Sequence, residues 1–370
     1  MTRAPAAPSA PTRAPSPSWR SLRLGPLSAR WHPRHVAVAG ALVVLGVALV
    51  VAGVAAGDLR LPAGRVLAVL LGGGEAAERV VVLGLRLPRT LLAVLVGALL
   101  ALSGALVQTT TRNGLASPDL LGVTGGAGAA ATAVLVLGGG AARGLGGLDL
   151  LGGLAVPVAA LAGGLAAAVL VALVLRVTGA AGLQPLLVGV AVAALMGGLT
   201  SWMLVAADLE DAERASAWLA GSLGGRGWAE VLTAGVTLAL VAPWLPLVAT
   251  RLLALELGAA TASSLGQDVR RSAAGVVLAA VALASVAAAV AGPIAFVALV
   301  APHLARMACR APRPPLAVTA LTGAVLLLLS DLAARTVAAP VLLPTGLVTA
   351  LVGAPFLVWL LVRSRRAGMW

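Results

Sequence analysis

Apolar residues in this chain neither alternate nor recur in narrow stripes; they run. Ten stretches of mostly Leu, Val, Ala and Gly can be marked, at about 35–56, 90–110, 120–138, 151–175 and 183–206, then 229–249, 273–291, 293–309, 317–338 and 345–362. Each approaches the ~20 residues a helix needs to cross a hydrocarbon core. A backbone inside lipid must satisfy its own hydrogen bonds, which selects helices over open strands. The pattern therefore predicts an all-α, polytopic membrane protein with about ten transmembrane helices.

The interruptions carry as much information as the runs. Residues 1–34 are Pro, Ser, Ala and Arg in little order and are expected to form a disordered tail. The body spans 35–366, and 367–370 is a short C-terminal tail. The first run is longer than a signal-peptide core, so it is expected to be an uncleaved span. The longest polar interruption inside the body is 250–272, where Leu253, Leu257, Leu265 and Val269 fall near one face at helical spacing. That spacing predicts a short amphipathic surface helix, which either lies among lipid headgroups or touches another protein.

Composition agrees with a bilayer as solvent: 60% of the 370 residues are hydrophobic, 11% are charged, and mean hydropathy is +1.03. A net charge of +13 would suggest nucleic acid in a soluble protein. Here the arginines sort by side instead. With the N-terminus in the cytoplasm, 17 fall on inner segments and 9 on outer ones, as the positive-inside rule requires. Both termini and the 250–272 segment are then expected to be cytoplasmic, in the cell membrane, with lipid and no nucleic acid as partner.

Several chemistries are missing. There is no lysine, so the chain has no P-loop to grip nucleotide phosphates. One cysteine, Cys309, excludes an intramolecular disulfide, and three histidines, His32, His35 and His303, are too scattered for a zinc site. Asp331 is the clearest acid inside a span, which gives an ion-coupled secondary carrier little to work with. No catalytic residue, bound cofactor or metal is expected. The glycines Gly97, Gly104, Gly122, Gly125, Gly126, Gly128, Gly197 and Gly198 are expected to let helices approach closely.

Five motifs stand in order. Arg86-Leu87-Pro88-Arg89 precedes the second run, and Arg112-Asn113-Gly114-Leu115-Ala116-Ser117-Pro118-Asp119-Leu120-Leu121-Gly122-Val123 follows it. Gly292-Pro293 leads through Phe296 to Pro302-His303 and Arg306; Ser330-Asp331 leads to Arg335; Leu343-Pro344-Thr345-Gly346 leads to Gly353-Ala354-Pro355-Phe356. From about Arg86 to Arg366 the chain resembles the FecCD or BtuC-like permeases of ABC importers for iron-siderophores, haem and cobalamin.

The resemblance implies a ten-helix permease fold in a subunit that is not itself an enzyme. It implies a second permease, identical or homologous, two cytoplasmic ATPases that use ATP and Mg, and an extracytoplasmic solute-binding protein. A ferric siderophore is the expected cargo, with cobalamin or haem as the alternative, and an ion-coupled secondary transporter is the alternative of another class. By resemblance, Arg86, Arg89 and Arg335 would receive acids of the binding protein. Asp331 stands four residues before Arg335, so an internal ion pair is a second role for that arginine. Leu257, Gly258, Ala262, Leu265 and Gly266 match the segment that fits a groove on the ATPase, although Ala259 and Ser263 depart from the family pattern, as Leu342 does on the outer face. Gly179, Gly182 and Gln184 fall in the cytoplasmic gate region, and His303 is expected to be structural.

Overall fold

The computed structural model describes residues 20–24, 27–57, 62–139, 154–178, 184–256, 259–264, 266–338 and 341–366. Helices α1 (Pro33–Ala55), α2 (Ala63–Leu70) and α3 (Ala76–Arg79) come first. Helix α3 passes through a π-helical stretch, Val80–Arg86, into α4 (Leu87–Thr111). A 3₁₀ turn, Pro118–Leu121, leads into α5 (Val123–Gly139), followed by α6 (Ala155–Thr178), α7 (Gln184–Ala206) and α8 (Leu209–Leu219). The second half holds α9 (Trp228–Val241), α10 (Leu245–Glu256), α11 (Ala259–Ser264), α12 (Val269–Ala291), α13 (Val297–Cys309), α14 (Leu316–Thr336) and α15 (Thr345–Arg366).

Among the described residues, eight helical stretches are long and apolar enough to cross a membrane, and Val123–Leu137 and Val297–Cys309 are shorter apolar helices. Among the described residues each of the ten runs is thus mainly helical, with local departures. The second begins at Ala76, well before the expected start, because Val80–Arg86 continues the winding with wider turns. The sixth is broken by a 3₁₀ turn at Ala242–Trp244, where Pro243 and Pro246 withhold backbone donors. The amphipathic helix α8 was not expected at all; Glu210 and Asp211 in its first turn favour the positive end of the helix dipole.

A further correction concerns the tail. Arg20–Leu24 and Leu27–Trp31 pair as an antiparallel hairpin, Arg20 opposite Trp31 and Leu24 opposite Leu27. Polar and apolar residues alternate over Ser21–Leu24 and Leu27–Trp31, and Gly25-Pro26 stands between them in the sequence, which is the pattern of a hairpin.

Helix α4 is the axis of the bundle. Leu92, Val96, Leu99, Leu102 and Leu106 are fully buried in a core shared with α9, α12, α13 and α14. Close approach is made by small residues: a Cβ on Gly97 would overlap the Gly323 carbonyl, and one on Gly104 the Ala298 carbonyl. Gly126 of α5 and Gly163 of α6 meet in the same way. Gly197 and Gly198 of α7 behave differently from expectation, since nothing among the described residues lies within 4 Å of a Cβ built on either. They face outward, so their small size closes no contact within this chain.

The break between α12 and α13 ties the same end of the bundle together. Gly292 sits at φ +74, where a side chain would be strained, and a Cβ there would stand 2.7 Å from the Trp218 carbonyl oxygen. Ser222 donates its N–H to Ala291 O at 2.9 Å, and Gly346 donates to Gly221 O at 2.9 Å. The 220–225 loop, the 292–296 break and the start of α15 therefore hold one another.

Candidate functional site

Two regions at opposite ends of the bundle carry the predicted site residues. At the first, the π-helical stretch feeds Arg86 and Arg89 into the start of α4, with Pro88 between them removing one backbone donor from the continuous Ala76–Thr111 helix. Arg86 is buried, and its Nη1 donates to Val54 O at 3.1 Å and Ala55 O at 3.2 Å, the carbonyls that end α1. Arg89 donates from Nε (3.0 Å) and Nη2 (2.8 Å) to Asp331 Oδ1. Arg335 approaches Asp331 Oδ2 at 2.9 Å through Nη2 and donates through Nη1 to Gly53 O at 2.9 Å. The Nη2 approach is an ion contact without hydrogen-bond alignment, since Oδ2 accepts no directed bond among the described residues.

Asp331 is fully buried, and Thr345 donates to its Oδ1 at 3.2 Å. One carboxylate thus holds two guanidiniums directly, with a third close enough for its charge to be felt at Arg335. Such a pair is costly to bury and costlier to break. The local surplus of two positive charges projects a field from this end of the bundle. Of the ion-paired guanidiniums, Arg89 keeps 15% of its side chain open and Arg335 9%. The expected i, i+4 pairing of Asp331 with Arg335 is present.

Sequence reasoning missed a fourth arginine. Gly224 lies against Arg89, and two residues on, Arg226 sits half-buried with no hydrogen-bond partner for Nε among the described residues. Burial lowers its pKa, an effect partly offset by the charge of Glu230. The available signal was its setting in Gly224-Gly225-Arg226-Gly227, a glycine-rich loop that gives an arginine access to a surface.

The other end holds the 250–272 segment. It is not one amphipathic helix. Helix α10 ends at Glu256, α11 covers Ala259–Ser264, and a turn at Gly266 with φ +78 leads into α12. Gly266 donates to Ser263 O at 2.9 Å and Gln267 to Ala262 O at 3.0 Å, and Asp268 caps α12 by accepting from Arg271 N at 3.0 Å. Ala262 is fully buried while Ser263, Ser264 and Gly266 are exposed. Of the expected leucine stripe, Leu253 is 47% exposed, and its neighbour Leu252 is the buried residue, packed on the core around α4. One residue turns a helix by about 100°, so the true inward face is set by the core of the bundle and not by a separate surface helix.

Leu257, Gly258 and Leu265 lie outside the described residues, as do Gly179 and Gly182. Gln184 opens α7. His303 is buried with Nδ1 3.1 Å from Leu299 O, a structural placement, and no cluster of three or more His, Cys, Asp or Glu that could hold a metal ion occurs among the described residues.

Comparison with known proteins covers both ends and the bundle between. Residues 42–363 match the FecCD transport family. The chain is 38% identical over 314 residues to the ferric enterobactin transport system permease protein FepG of Escherichia coli (strain K12), covering 85% of this chain and 92% of that protein. It is 39% identical over 284 residues to the Fe(3+) dicitrate transport system permease protein FecD of the same strain, covering 76% and 84%. A solved structure of a metal-chelate type ABC transporter in an inward-facing conformation superposes with a TM-score of 0.76 at 28% identity, over 89% of this chain and 99% of that one.

Proposed function

Since the chain belongs to the FecCD transport family, we propose that it imports a ferric siderophore as one subunit of a binding-protein-dependent, ATP-driven assembly. It is a multi-pass permease of the ABC class. The observation that carries the reading is the pairing of two unlike attachments at the two ends of one rigid bundle. One end shows an arginine surplus around a single carboxylate, and the other a short helix set off by a glycine turn.

The arginine end receives the solute-binding protein. Arg89 and Arg335 are already oriented by Asp331 and present their open edges to incoming acids, with Arg226 beside them. Arg86, committed to the carbonyls of α1, supports the others and adds charge. Charge pairing of this type raises the rate of encounter and fades as salt screens it. The α11 end meets the ATPase, with Ala262 as packed base and Gly266 as the turn; Leu257, Gly258 and Leu265 belong to the same contact by resemblance. The absence of lysine fits an arrangement in which nucleotide is bound on a different polypeptide. Gly179, Gly182 and Gln184 would form the inner gate. A second permease, identical or homologous, covers the outward faces of α7 and α15. Both termini lie in the cytoplasm in this reading. Binding-protein docking and ATP binding then bias the bundle between outward and inward openings, as two ligands with different affinity for two states do.

Proteoliposomes containing the chain with its ATPase and binding-protein partners test this. Labelled ferric enterobactin and ferric dicitrate are offered with ATP in the ATPase compartment. Uptake of at least one chelate that needs both ATP and binding protein is expected; uptake driven by an ion gradient alone would overturn the ATP-driven reading. Within the same vesicles, Gly266→Val should leave ATP hydrolysis running while uptake falls, and unaltered coupling would remove α11 and its turn from the ATPase contact. Arg89→Gln should weaken binding-protein capture about tenfold at low salt, roughly the value of one charged hydrogen bond. Equal capture would remove Arg89 from the docking surface.

A further inference from the structure

Two of the sequence motifs have no part in docking or coupling, yet the fold brings them together. The Arg112-Asn113-Gly114 turn follows α4, and Pro302-His303 with Arg306 lies in α13; both stand at the end of the bundle that carries α11. Between them opens a cleft of about 390 Å³ whose lining includes Gln108, Arg112, Gly114, His303, Arg306 and Arg313. Three of its ten lining residues are arginines and none is acidic. Its size falls in the range of small-molecule sites.

The walls are fixed from behind. Gln108 Nε2 donates to Leu299 O at 3.1 Å, and His303 Nδ1 lies 3.1 Å from the same carbonyl, which can only accept. In the neutral ring this leaves Nε2 as the acceptor, turned toward Gly114, where a Cβ would stand 3.0 Å from it. Gly114 therefore lets the turn close onto His303 without a side chain in the way. The floor of the cleft is set by buried groups, and its rim by guanidiniums.

The backbone at Arg112 is unusual. It sits at φ +52, ψ +26 as the left-handed residue that ends α4, with Asn113 N donating to Gln108 O at 3.1 Å. Glycine is the usual occupant of such a position, and a residue with a Cβ pays about 1–2 kcal/mol there. A cation near a helix C-terminus is favourable, but one in the last turn gives that benefit without the strain. In this left-handed placement Arg112 lines the same cleft as Arg306.

We infer that this cleft binds a phosphate ester, gripped by the guanidiniums of Arg112, Arg306 and Arg313. Planar guanidiniums match the spacing of phosphate oxygens and hold them through paired N–H donors. The cleft lies at the end of Ala76–Thr111, a stretch long and apolar enough to cross a membrane, and basic pockets beside the ends of such helices take anionic headgroups. A soluble phosphate ester offers the same oxygens. The site does not depend on the identity of the transported solute or on the transport reading.

The test uses the full-length chain reconstituted in nanodiscs of phosphatidylglycerol and phosphatidylcholine, with retained lipid read by native mass spectrometry, and separately the melting temperature in detergent with and without inorganic pyrophosphate. The variant is Arg112→Asn with Arg306→Gln, asparagine being tolerant of the left-handed backbone. The control is Arg176→Gln with Arg251→Gln, two exposed arginines with the same charge change. Loss of charged hydrogen bonds should lower phosphatidylglycerol retention about tenfold in the variant and not in the control. Retention lost in this way, without a pyrophosphate effect, identifies a lipid headgroup. A melting-temperature rise with pyrophosphate in the wild type and control, absent in the variant and without lipid preference, identifies a soluble ester. If variant and control behave alike in both measurements, the cleft is not a phosphate site.

Discussion

Helices α4 and α7 are close relatives in composition and opposites in fate. Both are apolar runs carrying small residues, with mean hydropathy in their most apolar windows of 2.5 and 1.9. In the stretch containing α4, 83% of that window is buried inside the protein, against 17% for α7. Glycines of α4 meet backbone of α13 and α14, whereas Gly197 and Gly198 of α7 meet nothing among the described residues. Leu195, Trp202 and Val205 stand exposed around them. Hydropathy thus identifies a membrane-crossing helix without saying whether its neighbour is protein or lipid, because both solvents are apolar. What separates the two is steric: a backbone-to-backbone approach is possible only where a facing helix offers an equally small surface.

The sharpest way to break the contrast is to fill the contact on α4. Gly104→Leu should destabilise the fold by about 5 kcal/mol or more, because the new Cβ overlaps main chain that cannot rotate away. Thermal unfolding of the purified chain in detergent measures this, and near-wild-type stability would mean that α4 and α13 are not packed as described. Next in size is Asp331→Ala, which leaves Arg89 and Arg335 buried without their shared counter-charge; a loss of about 3–5 kcal/mol is expected in the same assay. A change below about 1 kcal/mol would mean that water already shares that site. The smallest effect on the chain should come from Gly197→Leu, within about 0.5 kcal/mol of wild type, since the new side chain enters open space. Its signature should appear instead in the pairing of two permeases, read as a weaker dimer by analytical ultracentrifugation. A loss of stability as large as that of Gly104→Leu would erase the distinction between the two helices.

The ten helices were legible because lipid imposes one rule on every backbone group that enters it. Their interruptions were less so. Prolines 243 and 246 announced a break that the length of the apolar run concealed, and the π-helical Val80–Arg86 stretch had no marker of its own. The i, i+4 pairing of Asp331 and Arg335 could be read directly from spacing, but Arg89 joins it from 242 residues away, which no local pattern encodes. Leu253 was misplaced by one residue because the face of α10 is chosen by contacts with α4, and a pattern read in isolation treats the segment as if it stood alone. Arg226 was overlooked because its importance comes from the glycine loop leaning on Arg89, a tertiary fact.

The long reach of the Arg89–Asp331 pair also bears on how the protein is made. A ribosome delivers α4 to the membrane long before it delivers α14. For most of synthesis Arg89 has no Asp331 to meet, and its guanidinium is left to water and headgroups at the membrane surface where α4 begins. The outer end of the central helix can therefore be fixed by this ion pair only after α14 has been made.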